Sequence, residues 1–92
     1  MTDWANMPAG PEMDERLTML LWGSGVEIRL LSATWEGMGL VWDRLVEVGF
    51  VVTLRQRPGN LPCVAVGDAV VQANTPRLAL CRAAGMAMEE KR

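Results

Sequence analysis

Apolar positions change their spacing along this chain, and each change marks an element. Met13, Leu17, Leu20 and Leu21 recur at helical spacing behind Pro11, which suits a first helical position. Glu12, Asp14 and Glu15 place negative charge on that N-terminal turn, and Glu12 can pair with Arg16 at i,i+4. Gly23 and Gly25 close the pattern, so it predicts a helix over 11–22. Residues 26–31 alternate Val26, Ile28 and Leu30 with Glu27 and Arg29, as a short strand or an extended linker would. Thr34 is a good N-cap, Glu36 follows in the first turn, and Met38, Val41, Trp42, Leu45 and Val48 form one stripe. With Gly49 placed to stop it, a second helix is predicted over 35–48.

From Phe50 the period becomes two. Phe50, Val52 and Leu54 share one face, and Thr53, Arg55 and Arg57 share the other, with Val51 interrupting the polar side. Pro58-Gly59-Asn60 is a turn, residues 61–66 a second strand, and Gly67-Asp68 a two-residue hairpin loop into a third strand over 69–73. Asn74-Thr75-Pro76 then opens a helix, with Thr75 as cap and Pro76 in the first turn. Leu80, Cys81, Ala84, Ala87 and Met88 lie on one side of it, and Gly85 is a weak point, costing about 1 kcal/mol relative to alanine. The order α-α-β-β-β-α predicts an α+β domain, a three-stranded antiparallel sheet packed with helices. If both sheet faces are covered, it is a helix–sheet–helix sandwich. Residues 1–10 show no periodicity and read as a flexible N-terminal tail with Trp4 as a pin, so 11–92 form the single domain.

Composition narrows the chemistry. The 92 residues are 50% hydrophobic and 22% charged with a net charge of −2, so no broad positive field marks a nucleic-acid or membrane binder. Histidine and tyrosine are absent, which excludes imidazole catalysis, histidine-ligated zinc and phenolic acid–base chemistry. Cys63 and Cys81 lack CxxC spacing and read as buried thiols of a reducing, cytoplasmic compartment. The start, MTDWANMPAG, lacks the basic cluster of a secretory signal, and no apolar run reaches membrane-spanning length.

Two stretches resemble a known family. The run from Thr34 through Trp42 to Gly49-Phe50, and the closing Ala73-Asn74-Thr75-Pro76-Arg77-Leu78-Ala79-Leu80-Cys81-Arg82-Ala83-Ala84, are similar to the signatures of the phage ABA sandwich domain. Trp35 departs from it where an acidic residue is usual, Asn74 stands for the more common Asp, and Leu61-Pro62-Cys63 lacks an aromatic. The resemblance implies a helix–sheet–helix fold and a tailed-phage or prophage setting, without a catalytic residue to carry over.

Each candidate site has a plainer structural alternative. Thr75, Pro76 and Arg77 could hold an anion at the start of the last helix, or simply cap it. Arg55 and Arg57, two apart on one strand face, could grip phosphate or carboxylates, or lie on a solvated face. If a helix covers that face, Arg55 must reach the rim or find an acid; if the face is open, the pair gains weight. Trp22-Gly23-Ser24-Gly25 lacks the spacing and lysine of a phosphate loop and reads as a helix stop. Trp42 belongs to the core stripe, whereas Trp35, in a first turn, is the better aromatic platform. Asp14 with Glu15 and Glu89 with Glu90 read as solvated helix ends, and neither Ser24 nor Ser32 has a base to activate it.

These residues point away from an enzyme and from any metal or cofactor, toward a small phage or prophage binding protein acting on a host target. One version binds a host protein, including a defence component, through apolar surface at Trp4, Met7, Trp35 and Met86. Another sequesters a nucleotide immune signal between Arg55, Arg57, Thr75, Arg77 and Trp35, which requires the arginines to converge on a pocket within one protomer or between two. Without its first helix the element order also matches the double-stranded-RNA-binding domain. That domain needs a lysine cluster where this chain has Arg77 and Arg82, so nucleic acid is disfavoured. A structural or virion-accessory homodimer is the remaining alternative, since seven methionines and four tryptophans favour self-association where exposed.

Overall fold

The computed structural model describes residues 3–23, 25–32 and 34–91; the helix stop expected at Ser24 lies partly outside them. Helix α1 (Pro11–Trp22) starts with Pro11 and ends where Gly23, at a φ of 94°, turns its N–H back to Met19 O. Helix α2 (Trp35–Val48) is capped by Thr34, whose Oγ1 accepts from Gly37 N at 2.9 Å. Gly49 adopts the left-handed conformation at its end, which lets Phe50 N donate to Leu45 O at 2.9 Å. Strands β1 (Val52–Arg55), β2 (Cys63–Val66) and β3 (Ala69–Gln72) form an antiparallel meander in the order β1-β2-β3. Helix α3 (Pro76–Lys91) completes the α-α-β-β-β-α order of an α+β fold. No helix among the described residues is long and apolar enough to cross a membrane.

The layering departs from a helix–sheet–helix sandwich. Helix α3 buries Ala79, Leu80, Cys81, Ala83, Ala84, Gly85, Ala87 and Met88, which together span about two-thirds of its circumference. A buried arc that wide has to be covered from more than one side. The sheet packs on α3, and so do α1, α2 and the N-terminal turn, so α3 is the central element and the sheet an outer layer. Helices α2 and α3 run parallel: Arg77 meets Trp35 at their starts, and Lys91 meets Val48 and Phe50 at their ends.

Residues 26–32 form the extended linker rather than a strand, and α1 supplies its hydrogen bonds. Arg29 N donates to Thr18 Oγ1 at 3.2 Å, Ser32 N to Asp14 Oδ1 at 2.8 Å, and Gly10 N to Ser32 Oγ at 2.9 Å. Asp14 is therefore a buried structural acceptor and not the solvated helix-end carboxylate its sequence position suggests. Gly37 is required here, because a Cβ would collide with the Leu30 and Leu31 backbone lying across the first turn of α2.

Residues 3–10, expected as a flexible tail, are tied down by the pin. Trp4, in a single 3-10 turn (Trp4–Asn6), is 2% exposed and lies flat on Gly85 of α3. A Cβ at Gly85 would collide with the Trp4 ring, so this glycine is a seat for the indole. Arg82 Nε adds a 2.9 Å hydrogen bond to Met7 O.

Candidate functional site

The inner and outer faces of the sheet follow from its register. Val52, Val66 and Ala69 are aligned across the three strands, as are Leu54, Val64 and Val71; these rows face α3, and Val64, Val66, Ala69 and Val71 are buried. The alternate rows are Thr53–Ala65–Val70 and Arg55–Cys63–Gln72. There Thr53, Arg55, Val70 and Gln72 are exposed and Cys63 and Ala65 half-buried, so this face is open. Val70 is 62% exposed on it.

Small side chains in the middle strand make the open face concave. One cavity of about 240 Å³ is lined by Thr53, Arg55, Cys63, Ala65 and Val70. A second, of about 200 Å³, has Arg55, Arg57, Asn60, Leu61, Cys63 and Gln72 around it. Arg55 and Cys63 line both, so the two adjoin along the open face in a trough with Ala65 and Val70 toward one end and Arg57 toward the other. Cys63, expected as a buried thiol, is half-buried at the middle of this trough.

Most arginines of the chain are occupied. Arg16 pairs with Glu12 at 3.3 Å, and Arg44 donates to Leu21 O at 2.8 Å and pairs with Glu47 at 3.1 Å. Arg82 holds Met7 O, and the guanidinium carbons of Arg29 and Arg77 stand 4.7 and 4.9 Å from the ring centroids of Trp22 and Trp35. Among the described residues Arg55 and Arg57 have neither an ion-pair nor a ring partner. No acidic residue lies between Val48 and Gly67, and ten of the eleven acids lie outside 48–88. The net charge of −2 thus conceals a segregated distribution.

The second candidate group sits elsewhere. Thr75 caps α3, its Oγ1 accepting from Leu78 N at 3.1 Å, while Arg77 lies over the 64%-exposed Trp35 with its Nε buried and unpaired. Trp35 and Arg77 belong to the helical side, and Arg55 and Arg57 to the open side of the sheet, with neither Trp35 nor Arg77 lining the trough. The five residues expected to converge on one ligand are therefore divided into two groups within the protomer. Trp4 and Met7, expected as interaction surface, are buried, and Trp42 is half-buried at the edge of the core. The residues missed from sequence, Cys63, Ala65 and Val70, carried one signal: β2 alternates Val64 and Val66 with smaller Cys63 and Ala65.

Cys81 is fully buried, and burial first, with the Asp14 charge second, pushes its thiol up to about 12 from 9.0. It is held protonated and inert at neutral pH. Among the described residues no three Cys, Asp or Glu side chains gather as a metal-ligand set. A comparison with protein-family models, curated proteins and solved structures found no match to the chain.

Proposed function

We propose that this chain is a non-enzymatic binding protein whose open sheet face is its working surface. The observation that carries the reading is the trough over β1 and β2, bordered by two arginines without an ion-pair or ring partner among the described residues. An arginine left unpaired beside a concave surface retains its donors for an outside group. In the tailed-phage or prophage setting that the sequence resemblance implies, the target would be a host protein, including a defence component.

Nucleotide sequestration has less support, since it needs an aromatic platform beside the arginines and Trp35 lies with Arg77 on the helical side. Duplex nucleic acid has less still: two arginines and no lysine on the open face offer a weak phosphate clamp. Photo-crosslinking tests the reading. A photoreactive side chain at Val70 should trap a discrete partner in host cells, and the same group at Glu15 should not. Equal yields from both positions would sink the sheet-face reading.

A further inference from the structure

The open face also constrains the chemistry of what it binds. This step rests on the proposed function and goes further, to the partner's charge and size. The exposed part of the sheet spans three strands and four residues per strand, a patch on the order of 200 Å². A stable interface between two folded surfaces buries about 800 Å² per partner. The patch is small beside that, which favours a short occupant over a folded surface docking on it alone. An extended segment of a few residues matches its area.

Charge sets the sign of that segment. Arg55 and Arg57 stand at the end of the trough near the β1–β2 turn, and the one acid of 48–88, Asp68, sits at the opposite end in the β2–β3 hairpin. With strands rising about 3.4 Å per residue, Asp68 is more than a hydrogen bond's length from either guanidinium. No carboxylate of the described chain neutralises them. Toward the other end, Ala65 and Val70 provide an apolar floor without an aromatic, which suits an aliphatic side chain and gives a nucleobase nothing to stack on.

We infer that the open sheet face docks a short acidic segment of a partner protein, with carboxylates on Arg55 and Arg57 and an aliphatic side chain over Ala65 and Val70. Guanidinium–carboxylate forks supply the specificity, and the apolar end fixes the direction of the segment.

The test uses the full chain and a fluorescein-labelled peptide in which glutamates flank a single valine, at an ionic strength of about 0.15 M. Anisotropy should show saturable binding, and amide-resolved NMR should place the shifts at residues 53, 55, 63, 65, 70 and 72. R55E with R57E should weaken binding by about tenfold or more, the expected loss for two charge-assisted contacts. Val70→Asp should weaken it through the apolar end, and Trp35→Ala should leave it unchanged. The exposed positions keep these variants folded, which far-UV circular dichroism checks. The inference is overturned if the lysine counterpart of the peptide binds equally well, if the shifts map to Trp35 and Arg77, or if duplex RNA displaces the peptide. Loss of peptide binding with crosslinking through position 70 intact would overturn the acidic chemistry alone. Loss of both would overturn the binding-surface reading as well.

Discussion

The two faces of the sheet alternate residue by residue along the same strands and face opposite fates. Val64 and Val66 are buried against α3, while their neighbours Cys63 and Ala65 floor a trough open to solvent. Alternation makes both faces possible, and the position of α3 decides which one becomes core. The inner face carries stability, and the outer face is the surface proposed to recognise a partner.

The largest expected effect is on the inner side. Val64→Ala removes two methyl groups from a fully buried position and should cost about 2 kcal/mol, whereas Val70→Ala should change stability by less than about 0.5 kcal/mol. Urea unfolding of the two variants measures the contrast, and similar losses would mean that the outer face is covered. A sharper test lies at the Trp4 seat. Gly85→Ala should destabilise the wild type by expelling the indole, yet stabilise a Trp4→Ala background by up to about 1 kcal/mol, because alanine is the better helix former. A destabilising effect in both backgrounds would show that something besides Trp4 requires the glycine.

The thiols separate the inside from the open face chemically. At pH 8 an aromatic disulfide reagent should label Cys63 of the native protein and spare Cys81 until the chain unfolds. Because the folded state holds the Cys81 proton more tightly, its contribution to stability is full below about pH 9 and is lost as pH rises through about 12. Cys81→Ala should flatten that part of the pH–stability curve; an unchanged slope would assign the loss to other groups. Smallest of all should be the stability change from Arg55→Glu with Arg57→Glu, within about 0.5 kcal/mol, since neither arginine has an ion-pair partner among the described residues. A marked change in the thermal midpoint would show that the pair has a structural role.

Much of the architecture was legible because local rules and packing agree. Thr34, Gly49, Thr75 and Pro76 mark helix ends through hydrogen bonds and backbone conformations that depend on near neighbours. The hairpin at Gly67-Asp68 was equally local. Period-two alternation fixes sidedness and puts Arg55 on its observed strand face, whereas Arg57, expected on the same strand, lies past the end of β1 at the border of that face. Asp14 was misjudged because a carboxylate in a first helical turn is usually solvated. Nothing local reveals that Ser32, eighteen residues away, donates its backbone N–H to it.

The sequence by itself determined the elements, their order and the alternation of each strand, since these depend on backbone preferences and on spacing within a few residues. The tertiary structure decided the rest. It placed α3 between the sheet and the other helices, seated Trp4 on Gly85, and left one sheet face open, with Arg55 and Arg57 unpaired among the described residues. Those outcomes depend on which surfaces meet across long stretches of chain. Several packings can bury comparable apolar area, and close fit in three dimensions selects among them.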